Sequence, residues 1–396
     1  MRTTFAVVTS AILMLAGCSG GDRAADPGSE HPATSSASVP PAELSLSMED
    51  GATDVLPTTP MEISVTGGEL DDVQLRSAEG AEIEGEVEAD GQGGSYAFVP
   101  AEDLAYGMRY RLTATATNAA DEEAEESVAF TTVTPASVQT PSIGPLDGTT
   151  VGVGMPIRVF FEQPVTDKAA VERNLTVTST KETDGAWSWV TDTEVHFRPS
   201  EYWPENIDVT LDADLYGVEL ADGIWGEQDR SISFSVGERH VSVADAGAHT
   251  LKVYDGDTLV KTFPMSAGGP DFPSRNGAHV VTELNRDRVM DSSTYGVPVD
   301  SPDGYRTPVE FAVRLSNNGE FVHAAPWSVA QQGNSNVSHG CINLSTERAR
   351  WFFDFTQPGD VVEIVNSDGP TLSAADGDIY DWAIPWEEWQ AGSALK

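Results

Sequence analysis

From about residue 43 the chain is filled by short runs in which apolar and polar residues alternate, separated by turn residues. A period of two is the pattern of half-buried strands. The pattern also repeats. Asp50-Gly51-Ala52-Thr53 returns as Asp147-Gly148-Thr149-Thr150, and Phe98-Val99-Pro100-Ala101-Glu102 returns as Phe197-Arg198-Pro199-Ser200-Glu201. Pro60-Met61-Glu62-Ile63 returns loosely as Pro156-Ile157-Arg158-Val159. Each copy runs on into an alternating strand, at 110–114 and 209–213, and closes near Phe130 or Phe234. A unit of close to one hundred residues made of short strands predicts two immunoglobulin-like β-sandwiches, at 43–136 and 137–238. Neither can hold an inter-sheet disulfide, because the two cysteines are Cys18 and Cys341.

Past residue 239 the alternation continues without the repeat. Residues 251–254 and 259–263 predict a hairpin around Asp255-Gly256-Asp257, and 310–315, 320–323 and 360–365 predict further strands. One clear helix is expected at 346–355, behind a Ser345 N-cap and stopped by Pro358-Gly359. The third unit, 239–367, is therefore mostly β. Residues 368–396 carry Trp382, Trp386 and Trp389, a density of aromatics that requires burial against the third unit or the second sandwich. The fold class is mainly β throughout.

The first residues are of another kind. Arg2 and the apolar run from Phe5 to Ala16 read as a signal peptide, 1–17, too short to cross a bilayer as a helix. Leu15-Ala16-Gly17-Cys18 resembles a lipobox, so Cys18 is expected to carry lipid and anchor the chain to the outer face of the cell membrane. Residues 18–42, rich in Ser, Ala, Pro and Gly, read as a disordered tether. The 63 acidic residues against 22 basic ones, a formal charge of −41, argue against a nucleic-acid binder and suit an extracellular protein or equally one from a salty habitat; a monomer is expected. In the second sandwich, Glu219 and Asp222 flank a turn at Gly223 and are candidate ligands for a structural calcium ion.

With Cys18 assigned to lipid, Cys341 is an unpaired thiol in an exported chain, and so a candidate nucleophile. It lies in Ser338-His339-Gly340-Cys341-Ile342-Asn343. His323, with fourteen residues between it and Ser338, is the candidate general base; His339 is the nearer imidazole, with Ser338 beside it to orient it. Gly340 permits a tight turn that would aim the amides of Gly340 and Cys341 at an oxyanion. A helix start at Ser345 and a neighbouring imidazole both favour a thiolate at neutral pH.

His323, its spacing and the SHGCIN run resemble the signature of the L,D-transpeptidases, cysteine enzymes that cross-link bacterial peptidoglycan. Met290-Asp291-Ser292-Ser293-Thr294-Tyr295-Gly296, Gly304-Tyr305-Arg306-Thr307 and Ala325-Pro326-Trp327-Ser328 extend the resemblance, and the two sandwiches resemble the tandem immunoglobulin-like domains of the actinobacterial type. It implies an acyl transfer through Cys341 from a tetrapeptide stem, with loss of D-Ala and formation of a 3→3 cross-link. Transfer to water or to a protein amine, or a silent wall-binding lipoprotein, are the alternatives. It also implies that the long 290–307 segment is a lid, with Tyr295 and Tyr305 facing substrate; Met290, Asn318, Gly319, Trp327 and Asn343 are further candidates for holding the stem peptide. The family often has Ser directly after the base where this chain has Ala324: either an orienting hydroxyl is lost here or, the preferred reading, only the backbone carbonyl orients His323 and Ala serves equally. No cofactor is expected for catalysis.

A Cys18→Ala variant is expected to leave the membrane fraction without change in turnover by the body of the protein. Sedimentation with membranes at the wild-type level would refute the lipid anchor.

Overall fold

The computed structural model describes residues 39–91, 93–377 and 379–395. The signal peptide, Cys18 and the tether up to residue 38 lie outside the described residues.

The repeat seen in the sequence is a repeat of structure. In the first sandwich, Glu43–Leu46, Met61–Thr66, Ser95–Pro100 and Gly85–Ala89 form one sheet, and Ala52–Val55, Glu123–Thr132, Arg109–Asn118, Gly68–Ser77 and Glu82–Ile83 form the other. The second has Ser142–Gly144, Ile157–Phe160, Glu194–Pro199 and Gly185–Trp189 facing Thr150–Val151, Arg230–Val236, Ile207–Ala213 and Leu175–Ser179. Met61 pairs with Phe98 in the first, as Ile157 pairs with Phe197 in the second. The Asp-Gly turns match bond for bond. Asp50 Oδ1 accepts from the Ala129 amide and Asp147 Oδ1 from the Ser233 amide, each at 2.8 Å. Gly51 and Gly148, both at positive φ, donate back to the same two residues. The second copy departs from the first in a short helix, Lys168–Arg173, capped by Asp167, and an added three-stranded sheet, Ser137–Gln139, Ile224–Gly226 and Glu219–Ala221.

The third domain packs two sheets. One runs Thr258–Pro264, Thr250–Asp255, His240–Asp245, Val361–Val365, Gly277–Val280; the other runs Glu283–Asp291, Arg306–Arg314, Phe321–Ala324, Ile342–Leu344. The helix falls at Thr346–Phe355 as expected, with Ser345 Oγ accepting from the Arg348 amide. Ala349 and Phe352 face the core with Val313, Val322, Ile342 and Leu344. The 290–307 segment is more ordered than its composition implied. Met290 pairs with Thr307 and Asp291 with Arg306, so both ends belong to a long hairpin. Ser292 and Tyr305 bond to each other through two hydrogen bonds at its neck.

The second sandwich and the third domain are not separate beads. Val241, Val280 and Val361 belong to the same apolar cluster as Ile157, Leu211 and Trp203. The amides of Gly152 and Gly154 donate to the carbonyls of Pro358 and Gly359. The tail seals this junction by docking on the second sandwich. Trp389 is fully buried and donates from Nε1 to the Ala186 carbonyl; Trp382 donates to the Gly154 carbonyl. The Arg198 guanidinium sits 4.7–5.1 Å from the ring centres of Trp382, Trp386 and Trp389.

One ion cluster ties the tail down. His196 is fully buried, 2.6 Å from Glu194 through Nε2 and 3.0 Å from Asp381 through Nδ1. Burial alone lowers its pKa; Asp381 and Glu194 outweigh that and raise it to about 9 from 6.5. The imidazolium therefore stabilises the fold in full below about pH 6.5, and this is lost as pH rises through 9, a contribution of roughly 3 kcal/mol. Urea unfolding followed by tryptophan fluorescence is expected to show a midpoint that falls between pH 6.5 and 9.5, and a His196→Gln variant with a flatter profile. Equal slopes in the two proteins would exclude this ion cluster as the cause.

Candidate active site

Two residues that the sequence separates by seventeen intervening positions meet because their strands pair. Phe321–Ala324 and Ile342–Leu344 run parallel, with His323 opposite Asn343 and Val322 opposite Ile342. Cys341 stands immediately before the second strand. His323 and Cys341 line one cavity of about 250 Å³, together with Met290, Tyr305, Thr307, Val309, Val337 and Asn343. Trp327, 58% exposed, forms its rim with its ring 6.1 Å from that of His323.

The His323 ring donates from Nδ1 to the Ala324 carbonyl at 2.9 Å. That bond assigns the tautomer: Nδ1 carries the hydrogen and Nε2 is the basic nitrogen. The side chain at 324 is not needed for it. Burial holds the imidazole pKa below its usual value, partly opposed by the Ala324 bond, so the ring is a neutral base near pH 7.

Cys341 is buried and its Sγ donates to the Gly319 carbonyl at 3.4 Å. Burial pushes the thiol up to about 12; the Phe321 amide opposes this and the charge of Glu320 adds to it. This corrects the expectation of a thiolate at rest. The helix start is no help, because strand Ile342–Leu344 lies between the thiol and Ser345, and the field of a helix end fades within its first turn. The oxyanion expectation also changes. The Gly340 amide donates to Ser338 Oγ at 3.1 Å, so that donor is already engaged. Ser338 in turn donates to the Cys341 carbonyl at 2.6 Å. Ser338 thus closes the SHGC turn on itself and does not orient His339. His339 stacks instead on Phe272, with centroids 4.7 Å apart, and leans on Tyr305 at 5.1 Å. Gly340 has φ of +115°, which the turn requires, and its carbonyl accepts from the buried Ser274 hydroxyl.

Of the residues expected to hold substrate, Met290, Tyr305, Trp327 and Asn343 are in the cavity wall, and Gly319 touches the sulfur. Asn343 Nδ2 donates to Ser328, and its Oδ1 is buried with no hydrogen-bond partner among the described residues. Asn318 is elsewhere. It bonds to Asp376 of the tail through backbone and side chain, and lines a neighbouring cavity of about 230 Å³ across Tyr305 and His339 from the first. The backbone of Tyr295 lies in the 3-10 turn Ser292–Tyr295; its side chain is outside the described atoms. Glu219 caps its own hairpin, accepting from the Gly223 amide at 3.0 Å. It and Asp222 are joined by no third converging ligand among the described residues. Glu320, Phe272, Val309 and Val337 were missed in the sequence, where nothing but their neighbourhood to the motif singles them out.

Residues 239–364 match the family model of the L,D-transpeptidase catalytic domain, and residues 52–219 match that of a bacterial Ig domain. Over 352 residues the chain is 38% identical to L,D-transpeptidase 2 of Mycobacterium tuberculosis, spanning 89% of this chain and 85% of that protein. The chain belongs to the L,D-transpeptidase family. L,D-transpeptidase 5 of the same species is 38% identical over 364 residues, 90% of this chain and 78% of the relative. A solved structure of an L,D-transpeptidase in complex with imipenem aligns with a TM-score of 0.51 at 38% identity, covering 57% of this chain and all of that one.

Burial in this L,D-transpeptidase thus pushes the thiol pKa up and the imidazole pKa down, against an ion pair at rest. The alkylation rate of Cys341, read from the mass of its peptide, is expected to climb with pH beyond 8.5, the ordinary midpoint of a free cysteine. A plateau already reached near pH 7 would restore the ion pair.

Proposed function

We propose that this transpeptidase forms 3→3 cross-links by acyl transfer through Cys341. The observation that carries the reading is the His323 tautomer. A buried imidazole with Nδ1–H fixed on a carbonyl and Nε2 basic, in the same cavity as the thiol, is a proton acceptor for that thiol. Sγ attacks the carbonyl carbon between the third residue of a donor stem and its terminal D-Ala. The S–H proton passes to Nε2 as the C–S bond forms, since the free thiol is neutral. Nε2 then gives that proton to the departing D-Ala nitrogen, and a thioester remains on Cys341. The side-chain amine of a second stem attacks the thioester, loses a proton to Nε2, and the sulfur leaves and recovers it.

Other residues suit the peptide. The unpartnered Asn343 Oδ1 offers an acceptor to an N–H of the stem. Met290, Val309 and Trp327 give apolar contact, and Tyr305 closes one side. The lid hairpin, pinned at Ser292–Tyr305, sets the cavity's width. The acidic body would stand off the membrane on its tether, held by lipid on Cys18, within reach of the wall.

Incubation with a purified disaccharide tetrapeptide, read by mass spectrometry, is expected to yield a dimer lighter than two monomers by one D-Ala. Tripeptide alone would mean that water is the acceptor. Cys341→Ala is expected to abolish product with stability changed by no more than about 1 kcal/mol. Dimer formation by that variant would remove Cys341 as nucleophile.

A further inference from the structure

Behind the thiol, and outside the mechanism above, lies a fully buried histidine. His279, in strand Gly277–Val280, is 0% exposed. Its Nδ1 faces the Gly277 carbonyl at 3.0 Å and its Nε2 faces Glu320 Oε2 at 3.3 Å. Both partners are acceptors, so a proton must lie on the Nε2–Oε2 contact. With Nδ1 donating to the Gly277 carbonyl, an Nε2–H donated to Glu320 would make His279 the counter-ion of that carboxylate. Glu320, 4% exposed, has two more partners: the Arg275 amide on Oε1 at 2.7 Å and the Ser316 hydroxyl on Oε2 at 3.0 Å. Its side chain is thus tied to the 275–279 stretch at two points as well as to its own hairpin. It also packs beneath Gly340, where an added Cβ would stand 3.4 Å from Glu320 Cγ.

The position of Glu320 in the chain gives this meaning. Gly319 before it accepts from Sγ, and the Phe321 amide after it also bonds the sulfur. The bend that Glu320 anchors thus bonds the sulfur through both of its flanking residues. We propose that Glu320 and His279 form a buried, charge-balanced pair that positions the nucleophile: Glu320 holds the 319–321 bend against the sulfur, and His279 neutralises its carboxylate. A bare carboxylate in this place would oppose the build-up of negative charge on sulfur. The other charged or titratable groups around the pair are Arg275, itself bonded to Asp376 of the tail, and Asp303, Tyr305 and His339 across the adjoining cavity. The proposal rests on Cys341 as the reacting thiol.

The test is the pH dependence of Cys341 alkylation in wild type, His279→Gln, Glu320→Gln and the double variant, with folding checked by circular dichroism. His279→Gln strands the carboxylate, and the alkylation midpoint is expected to rise by at least about half a pH unit. Glu320→Gln keeps the shape and removes the charge nearest the sulfur, so its midpoint is expected below wild type. In the double variant the rise is expected to vanish, because no charge is left to compensate. A His279→Gln rise that persists without Glu320 overturns the pairing, as does an unchanged midpoint in His279→Gln. Should His279→Gln fail to fold, Glu320→Gln decides alone, and a midpoint at or above wild type overturns the proposal. Cross-linking by the wild type is assayed in parallel. Loss of that activity with the shifts intact would refute the proposed reaction and leave the pair standing.

Discussion

The site depends on one strand pairing, Phe321–Ala324 parallel to Ile342–Leu344. It brings the imidazole and the thiol to the wall of one cavity. Parallel neighbours need a long connection, and here it is residues 325–341, which carry Trp327 at the cavity rim and end in the SHGC turn. The connection is held down locally. Ser338 closes the turn, Ser274 holds the Gly340 carbonyl, and Asn336 bonds the Ala267 amide and the Ala246 carbonyl. Helix Thr346–Phe355 then packs across the strands and returns the chain to Val361–Val365.

Burial has a chemical consequence as well as a structural one. The same desolvation that keeps the thiol dry raises its pKa and lowers that of His323. A thiol reacts more slowly than a thiolate with oxidants and electrophiles. In the proposed reaction, proton transfer would accompany the attack on substrate inside this cavity.

The modules before the site are coupled to it unequally. The first sandwich meets the second through Tyr106, whose hydroxyl donates to the Gly226 carbonyl and accepts from the Gly217 amide, and whose ring lies tilted against that of Tyr216 at 4.7 Å. This is a small polar joint. The second sandwich shares its apolar core with the catalytic domain and is clasped by the tail, so these three parts behave as one body. The tail also reaches the site from the other side, where Asp376 holds Arg275 and Asn318 in the turn before the His323 strand.

Much of this was legible in the sequence because it is local. Alternation marked the strands, the Asp-Gly and Phe-x-Pro repeats marked two sandwiches, and Ser345 with Pro358-Gly359 bounded the helix. The motif and its spacing named Cys341 and His323. What the sequence could not show depends on atoms brought from far away. Desolvation by the domain raised the thiol pKa against the local expectation from a neighbouring imidazole and a nearby helix. The Ser338 hydroxyl went to the backbone, Asn318 turned to the tail, and Trp389 chose the second sandwich over the catalytic domain. His279 and Glu320, forty-one residues apart, look like unrelated surface residues until the two sheets pack and leave each the other's buried partner. Residue type and period set which elements form. Only close packing decides which polar groups lose water, and therefore which must find one another.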